Sequence, residues 1–230
     1  MEPTTLYAII LFKIILINLV LSGDNAVVIA LACRNLPAKQ RRVAFLWGSL
    51  GAVVCMVLLT FVALRLLQIP MLQALGGLLL IWIALKLLKS EDDGGHIRQH
   101  DSLWRAVRTI IVADLVMSLD NTVAVAATAQ GNLVLIGIGL AVSIPLIIWG
   151  ANLLAKLMAR FPVIVWAGAL LLGYTAGEMI LEDRVTGTYL TAYFPRTAWL
   201  FPWLVSVFVL IIGLLLSRRE VKVVRKLGRT

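Results

Sequence analysis

Apolar residues gather in seven long runs, at about 6–32, 43–67, 71–89, 106–129, 133–158, 162–182 and 199–217. Each is close to the ~20 residues that a helix needs to cross a ~30 Å hydrocarbon layer. The polar breaks between them carry helix-ending residues: Pro37 after the first run, Pro70 before the third, Gly131 and Asn132 between the fourth and fifth, Pro162 before the sixth and Pro202 opening the seventh. The pattern predicts seven transmembrane helices. Pro145 falls inside the fifth, where it would bend the helix unless neighbours satisfy the freed carbonyl.

Two of these runs are interrupted by the same polar cluster. Asn18 to Ala32 reads Asn-Leu-Val-Leu-Ser-Gly-Asp-Asn-Ala-Val-Val-Ile-Ala-Leu-Ala, and Asp114 to Thr128 reads Asp-Leu-Val-Met-Ser-Leu-Asp-Asn-Thr-Val-Ala-Val-Ala-Ala-Thr, identical at seven of fifteen positions. Asp24 lies ten residues before Arg34, and Asp120 ten before Gln130. At 1.5 Å per residue each aspartate is roughly 15 Å from its helix end, near the bilayer midplane. A carboxylate there costs about 2.5–3.5 kcal/mol on insertion scales, so two in corresponding places call for a shared partner, either a proton or a cation.

The repeat extends beyond the cluster. Pro70-Met71 aligns with Pro162-Val163, and Gly76-Gly-Leu-Leu-Leu with Gly168-Ala-Leu-Leu-Leu. Each copy is therefore three helices long, and an odd number sends the second copy into the membrane from the opposite side. The expected architecture is an all-α membrane protein with two three-helix inverted repeats and a seventh helix outside the symmetry. Its segments are 1–89 (first repeat), 90–105 (linker), 106–182 (second repeat), 183–198 (external loop), 199–217 (seventh helix) and 218–230 (basic tail).

Composition agrees with the class. The chain is 61% hydrophobic and only 14% charged, with mean hydropathy +0.97, against about 25% charged in soluble domains. Its net charge of +9 is what cytoplasmic loops rich in Lys and Arg produce, and no basic cluster is interleaved with aromatics as nucleic-acid binding would require. With the N-terminus outside, seventeen Lys and Arg fall in cytoplasmic segments, while Arg65, Arg184 and Arg196 fall outside and Lys13 is buried in the first helix. The positive-inside rule therefore selects N-out, C-in. Met1-Glu2-Pro3 lacks a basic leader region, so the first run is expected to remain as a helix. Trp47, Trp82, Trp104, Trp149, Trp166, Trp199 and Trp203 lie mostly toward helix ends, as interfacial anchors do. Cys33 and Cys55 read as free packing thiols.

The cluster offers oxygen donors alone: Asp24, Asp120, Asn25 and Asn121, with Ser22, Ser118, Asn18 and Asp114 as further lining. Such donors suit Mn²⁺, Mg²⁺ or Ca²⁺ better than Zn²⁺ or copper. On an unbroken helix Asp24 points about 100° away from Asn25, so both reach one ion only if the helix loosens near Gly23. The second copy has Leu119 there, which predicts more distortion in the first helix than in the fourth.

Plainer roles compete with this one. Either aspartate can cap a broken helix or pair with Lys13, and the asparagines can serve as interhelical glue. Glu178 is placed to pair with Lys13 or to line an exit. Gly48-Ser-Leu-Gly51 and Gly173-Tyr-Thr-Ala-Gly177 read as close-packing surfaces. In the linker, His96 and His100 among acids either capture a metal or belong to a solvated segment, which the Gly94-Gly95 interruption favours. No His lies within a span and no His-Glu-x-x-His motif occurs, so enzymatic chemistry is not expected and no cofactor is implied.

Leu21-Ser-Gly-Asp-Asn-Ala-Val-Val-Ile-Ala30 and Met117-Ser-Leu-Asp-Asn-Thr-Val-Ala-Val-Ala126 resemble the paired signatures of the TerC family of integral membrane proteins. Gly173-Tyr-Thr-Ala-Gly-Glu-Met-Ile180 and Ser143-Ile-Pro-Leu-Ile-Ile148 are similar to its later helices. The resemblance implies divalent metal transport in the bacterial plasma (inner) membrane, chiefly Mn²⁺ export, in some cases supplying exported metalloenzymes. It places the family's paired acidic residues at Asp24 and Asp120, with Asn25 and Asn121 beside them, and Gly23 against Leu119 makes the two ligand sets unequal. The expected function is an alternating-access Mn²⁺ exporter whose partners are the divalent ion and the lipid. The competing reading is a membrane partner protein of a secretion or stress-resistance complex that keeps its acids for helix registry.

Overall fold

The computed structural model describes residues 3–66, 69–89, 99–129 and 132–227. Among them the only regular structure is helical: α1 (Pro3–Leu21), α2 (Gly23–Cys33), α3 (Ala38–Leu66), α4 (Leu72–Lys89), α5 (Gln99–Thr128), α6 (Leu133–Arg160), α7 (Pro162–Glu182), α8 (Thr186–Tyr193), a short 3₁₀ turn (Ala198–Leu200) and α9 (Phe201–Leu227). Five segments are long and apolar enough to cross a membrane: Ala38–Leu59, Leu72–Lys89, Val134–Arg160, Pro162–Glu182 and Ala198–Leu216, with Gly23–Cys33 a shorter apolar helix.

The first expected span is two helices, α1 and α2, parted at Ser22. The fourth, α5, runs unbroken through the second copy of the cluster. The asymmetry read from Gly23 and Leu119 is thus present in the backbone. Other boundaries shift. α5 begins at Gln99, inside the expected linker, the segment 183–198 contains α8, and α9 continues into the basic tail. The linker residue His96 lies outside the described residues, as does the side chain of His100. Lys13, expected to be buried, has an exposed side chain on α1. Asn132 caps α6 by accepting from the Val134 and Leu135 amides (3.1 and 3.3 Å), and α6 continues through Pro145.

The helices group into two compact units, one of α1, α2, α3, α5 and α6, the other of α4, α7, α8 and α9. In the first, α3 packs along α5 and α1–α2 packs along α6. Gly48 meets Ile110 and Gly51 meets Ile111, while Met56, two turns further along α3, sits with Val125 and Ala129. α3 and α5 are therefore parallel. Ile14 covers Gly139 and Ile29 lies beside Ile144 and Ile147, so α1–α2 and α6 are parallel too. The buried centre is formed by Ile10, Ile14, Met56, Val125, Ala129, Ile136 and Leu140. Outward faces are apolar as well: Val134, Ile138, Val142, Leu146, Trp149 and Leu153 of α6 are exposed in one stripe. A helix that is apolar on both faces belongs in lipid.

In the second unit α4 and α7 are antiparallel, and α7 is antiparallel to α9. Small residues set the spacing. A Cβ on Gly77 would stand 2.5 Å from the Ala176 carbonyl oxygen, and one on Gly177 would stand 2.5 Å from Pro202 Cα. Cys33 and Cys55 are free thiols, as expected.

Asp183, only 2% exposed, ties the second unit together. Its Oδ1 accepts from the Val185 and Thr186 amides (both 3.0 Å) and from the Thr186 hydroxyl (3.2 Å), and its carboxylate also accepts from the Ala74 backbone N–H at the start of α4. One side chain thus caps two helices. Burial raises its pKa, but these hydrogen bonds outweigh burial and hold the carboxyl below the ordinary carboxylate range.

Because the native pKa lies below the unfolded value, the stabilisation from Asp183 is complete above the unfolded pKa of about 4 and is lost as pH falls through the native value. Asp183→Ala should cost about 2 kcal/mol or more, since it strands buried amides. Thermal unfolding in detergent should show this loss at pH 7, and Asp183→Asn should flatten the acid side of the stability profile. Gly77→Val should cost about 1–3 kcal/mol or prevent folding. Gly23→Ala, with nothing within 4 Å of the new methyl, should leave the melting temperature within a few degrees of wild type.

Candidate functional site

The site begins with the break in the first span. At Ser22 the backbone leaves the helical region (φ −95°, ψ 10°), and α2 restarts at Gly23 with Asp24 in its first turn. A carboxylate is favoured there by the helix dipole. In a continuous helix the Asn25 amide would donate to the Leu21 carbonyl. Here the Asn25 N–H donates to Asp24 Oδ1 (2.8 Å), and the Leu21 carbonyl accepts from Asn121 Nδ2 (3.3 Å), one hundred residues away on α5. The Asn25 amide and the Leu21 carbonyl, which would pair in a continuous helix, are each satisfied by a side chain, one by the aspartate of the first copy and the other by the asparagine of the second.

Beside the break, α2, α3, α5 and α6 line a half-open cavity of about 40 Å³, room for roughly three water molecules. Its polar lining is Ser22, Asn25, Ser49 and Asp114, and the rest is Ile29, Ala52, Val53, Met56, Leu140, Ile144 and Ile147. Asp114 Oδ2 accepts from Ser118 Oγ one turn along α5 (3.0 Å), and Asp24 is near enough for its charge to act on Asp114. Asn25 is 7% exposed and Ser49 5%. Asn25 Oδ1 and Ser49 Oγ are both buried without a hydrogen-bond partner. A buried amide oxygen left without a donor costs about 1–3 kcal/mol, and a cation in the cavity would supply what is missing.

Four of the candidates from the sequence therefore come together: Ser22, Asn25 and Asp114 line the cavity, and Ser118 supports Asp114. Asp24 stands at the break, within electrostatic reach of Asp114, and Asn121 braces the break. The backbone places Asp120 next to Asn121 on α5, but its side chain lies outside the described residues, as does that of Asn18. Glu178 is in the second unit and takes a hydrogen bond from Tyr174 one turn before it on α7. Tyr174 packs edge-on against Trp203 (4.8 Å between ring centres).

The sequence reading missed Ser49. Its signal was inside Gly48-Ser-Leu-Gly51, taken as a packing surface. The glycines do pack on Ile110 and Ile111, and that closeness brings the hydroxyl between them to the Asp114 side of α3. Among the described residues no group of three or more His, Cys, Asp or Glu could hold a metal ion. The donors gathered here are carboxylates, an amide oxygen and hydroxyls, a hard set of the kind that binds exchangeable divalent cations.

Comparison with known proteins places the chain among integral membrane proteins. The chain is 44% identical over 214 residues to the uncharacterized membrane protein YjbE of Bacillus subtilis, covering 93% of this chain and 98% of that one. It is 27% identical over 177 residues to YceF of the same organism, covering 73% of this chain and 68% of that one. It is also 29% identical over 133 residues to the inner membrane protein YoaE of Escherichia coli K12, covering 49% of this chain and 26% of that one. No solved structure matches. Residues 4–221 match the family described as "Integral membrane protein TerC family", and with nearly its whole length so matched the chain belongs to the TerC family of integral membrane proteins.

Proposed function

We propose that this protein is a divalent-cation transporter of the bacterial plasma membrane that exports Mn²⁺ by alternating access, and not an enzyme. The observation that carries the reading is the cavity beside the broken helix, where the unpartnered Asn25 Oδ1 shares the lining with the Asp114 carboxylate, close to Asp24. Two carboxylates in a low-dielectric site repel each other unless a proton or a cation intervenes, and a divalent ion neutralises both. Asp24, Asn25 and Asp114 would hold the ion, with Asp120 joining from the second copy. Asn121 would keep the break open and so keep Ser22 and Asn25 turned toward the cavity.

The packing supports a repeat-based mechanism. Exchanging the three helices of one repeat for those of the other turns the α3–α5 pairing into the pairing of α1–α2 with α6, and both pairings are parallel. Seven crossings would give these directions whichever side the chain starts on, and would also make α4 and α7 antiparallel. A broken helix at the midplane, with its ends aimed at an ion, is a common element of secondary transporters. Proton exchange is a natural coupling, since a carboxylate that releases the metal can take up a proton.

One observation favours the competing reading of a partner protein whose acids serve only registry: Asp24 and Asn121 already satisfy the backbone of the break. The two readings part on metal. Mn²⁺ uptake into inside-out vesicles should fall about tenfold or more in Asp24→Asn, Asp114→Asn and Asp120→Asn, the range typical for removing a metal-site group. Wild-type rates in all three, together with no Mn²⁺ bound to the purified protein, would reject the transporter.

A further inference from the structure

We propose that Met56 is the specificity-determining residue of this cavity, its thioether closing an otherwise all-oxygen donor set so that transition-metal ions are accepted and Ca²⁺ and Mg²⁺ are disfavoured. The inference rests on the cation reading above and adds a selectivity that the oxygen donors alone cannot provide. Ser49, Ala52, Val53 and Met56 fall on one face of α3 at spacings of three, four and seven residues and line the cavity together. Ser49 and Asp114 supply its polar part, while Met56 stands where it merges with the apolar centre of Ile10, Ile14, Val125 and Leu140. An ion held by Asp114 and Asn25 would thus have the Met56 side chain on that side of the cavity.

Donor chemistry gives the direction. Oxygen ligands suit Mg²⁺, Ca²⁺ and Mn²⁺ alike, so a site made of them separates these ions mainly by size and hydration. A thioether is a weak, soft donor that a hard alkaline-earth ion does not exchange for water, whereas a d-block ion gains from it increasingly along the series from Mn²⁺. Mg²⁺ also prefers to keep several waters and gains least from a protein donor that replaces one. Methionine has the torsional freedom to bring its sulfur to an ion and withdraw it as the ion leaves. As a packing residue only, Met56 would be replaceable by leucine at small cost, which makes that substitution informative.

The test is competition binding to the purified full-length protein, with Mn²⁺ as the reporter and Cd²⁺, Ca²⁺ and Mg²⁺ as competitors, and Asp114→Asn as the reference for loss of the site. In wild type, Cd²⁺ should displace Mn²⁺ at a concentration at least about tenfold below that of Ca²⁺. Met56→Leu should weaken Cd²⁺ by about tenfold and Mn²⁺ by less, with Ca²⁺ and Mg²⁺ changed less than about twofold, so that the Cd²⁺ to Ca²⁺ ratio collapses. A second measurement does not depend on how that variant folds. In protein carrying Cys33→Ala and Cys55→Ala, the X-ray absorption spectrum of bound Cd²⁺ should contain one sulfur neighbour. Saturable, Asp114-dependent binding with no sulfur neighbour and an unchanged ratio in Met56→Leu would overturn the role of Met56 and leave the transporter standing. Absence of any Asp114-dependent divalent binding in wild type would overturn both.

Discussion

In hydrocarbon a peptide group has no water to turn to, so every carbonyl and amide released from a helix must find a partner within the protein. That constraint governs the first span. The chain interrupts a helix where interruption is costly and answers with two side chains, Asp24 for the Asn25 amide and Asn121 for the Leu21 carbonyl. The rest of the first unit follows. α5 must lie against the end of α1 to deliver Asn121, α3 must lie against α5 to wall the cavity, and the glycines at 48 and 51 allow that approach. The Asp-Asn pair thus brings chemistry and architecture together, because the residues that suit an ion also permit the backbone to open.

The two compact units solve different problems. The first holds the polar interior, with Ser22, Asn25, Ser49 and Asp114 set among Ile, Val and Leu side chains. The second has its most buried acid outside the spans. Asp183 draws the ends of α4, α7 and α8 together through backbone amides, and within the spans glycine against backbone does the packing. Oil on both sides of a helix gives no hydrophobic drive to associate, so such a bundle relies on shape and on hydrogen bonds placed where they cannot be exchanged for water.

Much of this was legible in the chain itself. The apolar runs located the helices, because a membrane-spanning segment has one length and one composition, and Gly23 opposite Leu119 pointed to the helix that breaks. The boundaries were less legible. Charged residues conceal the first turns of α5, which starts at Gln99, and a stretch that reads as an external loop contains α8. The site was legible as a list of residues and not as an arrangement. Spacing could place Asn121 at the midplane but could not reveal that its amide is used on a carbonyl one hundred positions earlier. Ser49 was concealed because a serine between glycines in an apolar helix has the same pattern whether it packs or faces a cavity.

The asymmetry between the two copies makes each depend on the other. One copy contributes an interrupted backbone and the other an intact helix bearing the amide that relieves it. Two molecules of the first kind would present broken ends with no continuous helix to brace them, and two of the second would have nothing to brace. Two clusters so alike in sequence thus do opposite work in the backbone: one opens a helix, and the other carries the hydrogen bond that relieves the opening.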